Sequence, residues 1–295
     1  MGIKQCCYIL YFTLALVALL QPVRSAEGVG EILPSVNETR SLQACEAYNI
    51  IDKCWRGKAD WENNRQALAD CAQGFAKGTY GGKWGDVYTV TSNLDDDVAN
   101  PKEGTLRFAA AQNRPLWIIF KNDMVINLNQ ELVNIIIHNI NIHDVKVLPG
   151  GMIKSNDGPP ILRQASDGDT INVAGSSQIW IDHCSLSKSF DGLVDVTLGS
   201  THVTISNCKF TQQSKAILLG ADDTHVQDKG MLATVAFNMF TDNVDQRMPR
   251  CRFGFFQVVN NNYDRWGTYA IGGSSAPTIL CQGNRFLAPD DQIKK

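Results

Sequence analysis

Short apolar runs recur along the second half of the chain, each followed by a polar Asn or His and then by an apolar or aromatic residue. They are IIIHNINI ending at Ile142, IDHCSL at Leu186, TISNCKF at Phe210, VAFNMF at Phe240, VVNNNY at Tyr263 and LCQGNRF at Phe286. The closing positions lie 44, 24, 30, 23 and 23 residues apart, which sets a repeat of about two dozen residues, the first interval being nearly two units. A strand-helix-strand unit needs about 30 residues or more. A shorter repeat suits a coil of short strands stacked on the next coil. Val, Ile, Thr and Phe fill the runs, Gly, Asn, Asp and Ser fill the gaps, and no long helical periodicity follows residue 115. The pattern predicts an all-β chain folded as a right-handed parallel β-helix. Asn139, His183, Asn207, Asn238, Asn261 and Asn284 are then expected at one corner, where stacked amides hydrogen-bond along the solenoid. That reading makes His183 structural despite its neighbour Asp182.

Upstream the pattern changes. NPKEGTLRFAAAQ reads as a strand running into a helix, and WENNRQALADCAQGF has apolar residues at helical spacing. Cys54 and Cys71 are the first candidates for a disulfide, closing a short loop there. Residues 26–85 are therefore expected to form an amino-terminal extension and cap, and 86–295 the β-helix, since an open solenoid end exposes core and strand edges. Residues 1–25 have Lys4, an apolar stretch CCYILYFTLALVALL, and small residues Val23 and Ser25 before Ala26, the layout of a secretory signal peptide. The apolar run is about 15 residues, short of the roughly 20 a membrane span needs. The mature chain is expected outside the cell, free of the membrane and monomeric, with Asn37 in NET as a glycosylation sequon.

Composition narrows the picture. With 44% hydrophobic and 19% charged residues the chain is not a disordered one. Loss of Lys4 and Arg24 with the leader takes the formal charge from -3 to -5, which argues against nucleic acid as a partner. Cys6 and Cys7 leave as well, and an odd set of thiols in an oxidising compartment implies some disulfides and an unpaired cysteine. Cys184 and Cys208 are 24 residues apart and hence stacked on adjacent coils, either bridged or filling the core as small apolar groups.

The coil length also brings chemistry together. Asp167 lies 24 residues before Asp191, and Asp169 lies 26 before Asp195, so DGD should sit beneath FDGLVDV. Residues two or four apart in a strand share a face, so four carboxylates should converge. Like charges at contact raise one another's pKa unless a cation lies among them, and a hard ion such as Ca²⁺ takes such a shell. The alternative is a set of solvated turn aspartates. One coil on, Lys215 and the arginines of QRMPRCRFG (Arg247, Arg250 and Arg252) form a basic flank with its backbone fixed at Pro249. In an acidic protein, such a flank attracts a carboxylated substrate locally.

WIDHCSLS, FDGLVDVTLGSTHVTISNCKF, KAILLGADD, QRMPRCRFG and YAIGGSSAPTILCQGNRF together resemble plant pectate lyases of polysaccharide lyase family 1, including its pollen-allergen group. The resemblance runs from about residue 40 to the carboxyl end. It implies Ca²⁺-dependent β-elimination of de-esterified homogalacturonan (polygalacturonate) in the cell wall or on the pollen exterior, leaving unsaturated oligogalacturonides. It places the calcium ligands on Asp167, Asp169, Asp191 and Asp195, the substrate-carboxylate lysine on Lys215, the catalytic arginine on Arg247 and a second substrate arginine on Arg252. The chain departs from the family between Val133 and Asn134, where about one coil with a TIDGRG motif is missing, and at DDQIKK, where relatives continue with further coils. Gln257 stands where the plant enzymes commonly have His, and Phe253 is unusual. Two rival functions follow: a secreted pectate-binding form without turnover, and a hydrolase using Asp222 and Asp223, which a strand would point to opposite faces.

Overall fold

The computed structural model describes residues 49–56, 58–130, 137–154 and 158–291. The leader-like segment 1–25, the sequon at Asn37 and the junction after Val133 lie outside the described residues.

From Ile137 onward the chain is a parallel β-helix with three sheets. Sheet 1 contains Ile171–Ala174, Gly192–Thr197, Gln213–Leu219, Arg250–Arg252 and Gly272–Ser274, with Val244–Gln246 pairing beside it. Sheet 2 runs from Ile137–His138 through Ser177–Asp182, Thr201–Ser206, Leu232–Ala236 and Phe255–Val259 to Thr278–Gln282. Sheet 3 runs from Asn141–His143 through Ser185–Ser187, Lys209–Thr211, Met239–Phe240 and Asn262–Asp264 to Arg285–Leu287. The six closing positions read from the sequence occupy one column of sheet 3, from Ile142 to Phe286. Inside it Phe210, Phe240, Tyr263 and Phe286 stack face to face at 4.8, 5.0 and 4.7 Å, the spacing of hydrogen-bonded strands. The irregular intervals have local causes. The 30-residue one contains a 3-10 turn, Val226–Gly230, and the 44-residue one contains the strand Ile171–Ala174 and an antiparallel hairpin, Gly151–Ile153 with Ile161–Arg163.

The corner ladder is real but is split between two neighbouring columns, a correction to the single column expected. Asn238, Asn261 and Asn284 form the inner column: each Nδ2 donates to a strand carbonyl one coil earlier, of Ile205, Val235 and Val258 respectively. In register with them stand Cys184 and Cys208, not His183 and Asn207. Cys208 Oδ-like duty falls to its thiol, which accepts the Cys184 N–H and points to the Ile181 carbonyl. His183, Asn207 and Asn139 sit one residue earlier, at φ of 53°, 52° and 55°, a left-handed corner that Asn and His tolerate. Both cysteines are free and buried, so of the two readings the core-filling one holds.

The amino-terminal segment lies against the outer face of sheet 2. Its helix, Ile50–Trp55, is capped by Asn49, whose side chain accepts from the Ile51 and Asp52 N–H groups. WENNRQALADCAQGF forms two 3-10 turns, Arg65–Cys71 and Gly74–Ala76, and Cys54 and Cys71 are bridged with Cα atoms 5.6 Å apart. Phe75 N–H donates to Thr234 Oγ1 (3.1 Å) and Ala76 N–H to Thr204 Oγ1 (3.0 Å), which ties the segment across adjacent coils. Gly74, at φ +67°, permits this approach, because a Cβ there would meet Thr234 Oγ1 at 2.5 Å. NPKEGTLRFAAAQ supplies a short helix, Leu106–Ala110, between the parallel strands Asp86–Val90 and Leu116–Phe120. Among the described residues that pair makes no ladder to sheet 1.

Candidate functional site

The carboxylates meet on the outer face of sheet 1, with a register shifted from the 24-residue spacing. Val194 pairs with Ile171, 23 residues back, so Asp195 stands opposite Asn172 and Asp191 lies beside Gly168. Asp169 still reaches the next coil, because its side chain crosses the gap: Oδ1 accepts the Gly192 N–H at 2.7 Å. The Asp169 and Asp195 carboxyls adjoin each other over Gly192. Gly192 makes that meeting possible, since a Cβ there would lie 2.6 Å from Asp195 Oδ1 and 2.9 Å from Asp169 Oδ1. Asp191 pairs with Lys215 at the mouth, and Asp167 is the exposed outer member.

This geometry strains the charges. Asp195 is only 9% exposed. Burial, followed by the charge and hydrogen bond of Asp169, pushes its carboxyl up to about 8, while the Arg247 guanidinium pulls the other way. Burial and then the charges of Asp167 and Asp191 likewise raise Asp169, against the Gly192 N–H bond. Two carboxyls in contact share a proton or admit a cation, and an all-oxygen donor set suits a hard ion such as Ca²⁺. Asn172 Nδ2, 3.4 Å from Asp169 Oδ2, stands on the same row.

The basic flank comes from the next two coils. Lys215 is paired in register with Gly192. Arg247 adopts φ 61°, a left-handed backbone for a non-glycine residue, and its carbonyl accepts the Ile217 N–H at 2.6 Å. Its buried Nε has no hydrogen-bond partner, and the same is true of Arg250 Nε. Arg252 is held by Asp223 (3.1 Å) and by the carbonyls of Gly220 (2.9 Å) and Ala221 (3.1 Å).

Residues that the spacing did not single out hold this arrangement. Gln213 Oε1 accepts the Ser189 N–H (2.7 Å) while its Nε2 donates to the Asp191 carbonyl, fixing the turn that carries Asp191. Gly192 and Asn172 belong with it. Only the coil register could have exposed them, because Gln213 follows Ser189 by 24 residues.

The proposed hydrolytic pair fails on its own terms. Asp222 and Asp223 lie in a turn after sheet 1, not on a strand. Hydrogen bonds from Thr224, then His225, hold Asp222 well below the carboxylate range, and those from Ser274 and Ser275 lower Asp223. Neither is poised as a general acid, which needs a raised pKa.

A parallel β-helix carrying a strained carboxylate seat beside Lys215, Arg247 and Arg252 has the architecture of an enzyme that acts on an acidic polymer. A family model described as Pectate lyase matches residues 115–294. The chain is 91% identical to Pectate lyase 2 of Ambrosia artemisiifolia over all of its own length and 81% of that protein. It is 80% identical to Pectate lyase 1 of the same plant with the same coverage. The crystal structure of jun a 1, the major allergen from cedar pollen, superposes with a TM-score of 0.80 at 46% identity, covering 84% of this chain and 80% of that one. The chain belongs to the pectate lyase family. Its alignment to Pectate lyase 2 spans 322 positions against 295 residues, so at least 27 positions of the relative, about one coil's worth, have no counterpart here.

Proposed function

We propose that the chain cleaves de-esterified homogalacturonan by Ca²⁺-dependent β-elimination. The observation that carries this reading is the meeting of Asp169 and Asp195 over Gly192, within the field of Arg247. Asp167, Asp169, Asp191 and Asp195 would hold the ion. Bound there, Ca²⁺ supplies positive charge for the uronate carboxylate and for the negative charge that grows on it as the C5 proton leaves. Lys215, now on Asp191, and Arg252, now on Asp223, are cations at fixed positions that a substrate carboxylate can share. Arg247 has a buried Nε with no protein partner, and its charge acts on the Asp195 carboxyl, which places the guanidinium beside the carboxylate seat. The C5 proton is acidified because it is α to the carboxylate, and it departs either to Arg247 or to hydroxide. The electron pair left on the enediolate-like carbanion then forms the C4–C5 double bond as the C4–O4 glycosidic bond breaks, and the leaving oxygen takes a proton from water. A guanidinium is ordinarily protonated, so both routes require the rate to rise toward alkaline pH.

The leader-like residues 1–25 and the Asn37 sequon support a secreted glycoprotein working on cell-wall pectate, and the likeness to a cedar pollen allergen supports an allergen role. The uncounted coil favours a second reading, pectate binding without turnover.

One assay separates them. Incubation with polygalacturonate should release unsaturated ends that absorb in the ultraviolet, and a calcium chelator should stop the release. Arg247→Ala should lower turnover by at least about a hundredfold, the scale of removing one preorganised stabiliser. Undiminished turnover in that variant would overturn the assignment. Reducing ends without unsaturation would mean hydrolysis, and binding without product the second reading.

A further inference from the structure

A groove of about 750 Å³ runs along the corner between sheet 3 and sheet 1, passing Asp191 and Lys215, with Asn243 and Asp245 of a later coil on one side and Phe190, Lys188 and Lys146 toward the earlier coils on the other. Its most conspicuous wall is Phe190, an aromatic side chain left 72% exposed to solvent. The ring is not there by default. Gly168, at φ +93°, sits directly under it, and a Cβ at Gly168 would lie 2.7 Å from Phe190 Cβ and about as close to its ring carbons. The glycine of DGD thus seats the ring on the rim of the carboxylate site.

The charges in the groove are arranged in the same sense. Asp191 is paired with Lys215, Asp144 with His143 at 2.6 Å, and Asp245 accepts the Thr268 hydroxyl at 2.8 Å. Lys188 lies 3.9 Å from Asp144 in an exposed pair, too loose and too solvated to hold it, and Lys146 is exposed beside it. The backbone fixes their spacing, since Val145 N–H donates to the Lys188 carbonyl at 3.1 Å and Ser189 N–H to Gln213. An apolar plate flanked by available ammonium groups, continuous with a site that takes uronates, matches one ligand chemistry: a pyranose ring with an apolar C–H face and a carboxylate at its edge.

We infer that Phe190, Lys188 and Lys146 form an additional galacturonate subsite, in which the sugar ring lies on Phe190 and its carboxylate meets Lys188 and Lys146. The inference rests on the proposed substrate and adds the direction in which the polymer extends from the reacting centre. It also adds a length requirement, because only an oligomer long enough to pass Lys215 reaches the ring.

The test compares wild type with Phe190→Ala, Phe190→Trp, Lys188→Gln and Lys146→Gln, using saturated oligogalacturonates of graded length and polygalacturonate. Calorimetric affinity and, where turnover is present, KM and kcat are the readouts. On long substrates Phe190→Ala and Lys188→Gln should each weaken binding and raise KM by about threefold to tenfold with kcat unchanged, the worth of one stacking or charged contact. Short oligomers should show no change, and Phe190→Trp should restore the plate. Equal effects at every length, an effect on kcat alone, or none at all would overturn the subsite. A wild type that binds long polymer in a Phe190-dependent way without making unsaturated ends would refute the lyase reading and leave the subsite standing. An active wild type indifferent to Phe190 would do the reverse.

Discussion

Two buried carboxylate clusters lie on different outer faces of the solenoid, and they solve the cost of buried charge in opposite ways. On sheet 2, Asp182 is fully buried but surrounded by donors: Ser206 Oγ (2.6 Å), Asn207 Nδ2 (3.0 Å) and the rings of His138 and His183. Burial alone would raise its carboxyl, yet the two histidines override it and hold Asp182 well below the usual range. His183 in turn spans to Asp52 of the amino-terminal helix (3.0 Å), and against its own burial these two carboxylates push it up to about 9. On sheet 1, Asp169 and Asp195 face each other with too little cation, and both carboxyls are raised. A cluster supplied with its own counter-ions serves as a rivet, whereas one left short is a seat for something the chain does not encode. His138, Asp182 and His183 bring three ligand atoms within 4.8 Å, but two imidazoles with one carboxylate suit a transition ion and not Ca²⁺.

The sharpest way to break this contrast is to neutralise one carboxylate in each cluster. Asp182→Asn removes one of the two carboxylates that hold the buried His183 cation and leaves Ser206 and Asn207 without their charged acceptor, and should cost about 3 to 5 kcal/mol of stability in denaturant unfolding. Asp195→Asn removes a repulsion, so the calcium-free protein should keep or slightly gain stability while losing any stabilisation by calcium. If Asp195→Asn were the more damaging to folding, the roles assigned to the two faces would be reversed.

Next in size is a pH effect. His183 has a folded pKa above its unfolded value of 6.5, so its contribution is complete below that pH and disappears as pH rises through about 9. It is worth at most about 3 kcal/mol, from the shift alone. Asp195 has the same sign in a different window: in calcium-free protein, stability should fall as pH rises from near 4 through about 8. Saturating calcium should flatten the Asp195 limb and leave the His183 limb in place, by about 2.7 kcal/mol at a hundredfold excess over Kd. Thermal melts across that range with and without chelator check both limbs, and a calcium-sensitive upper limb would contradict the assignment.

The repeat made the solenoid legible, because each coil must end on an inward apolar residue, and the closing positions from Ile142 to Phe286 fall in one column. The Cys54 to Cys71 bridge was legible for a different, local reason: the two cysteines close a short loop. What spacing could not give was register to the residue. Asn serves both at a left-handed corner and in the amide ladder beside it, so His183 and Asn207 were assigned a column that belongs to Cys184 and Cys208. The 26-residue spacing puts Asp169 beneath Asp195, whereas the backbone puts Asn172 there, three residues on, and the Asp169 side chain closes the distance. Asp167, Asp191, Lys215, Arg247 and Arg252 could be named because they carry charge. Gln213 and Gly192 could not, because a turn clamp and a missing Cβ leave no chemical signature in a single sequence.

Gly192 gives the finest test of the comparison, because it acts on the seat by shape without touching its charge. An alanine there would place a methyl 2.6 Å from Asp195 Oδ1 and 2.9 Å from Asp169 Oδ1, closer than real contacts allow, so the carboxyls must part. Parting relieves their mutual repulsion and raises solvent access, so the upward displacement of the Asp195 carboxyl should shrink in calcium-free protein. The same movement spoils the oxygen cage, and calcium affinity should fall by about tenfold, the lower end of what disturbing a ligand's support costs. Folding should change by only about 1 kcal/mol, since the strand is otherwise accommodating and the residue is not in a left-handed conformation. The rivet on sheet 2 should be indifferent, with its alkaline limb unchanged. Calcium titration by calorimetry, read beside the pH melts, would expose the alternative: unchanged affinity in Gly192→Ala would mean that the ion does not sit between Asp169 and Asp195, and that their closeness has some other purpose.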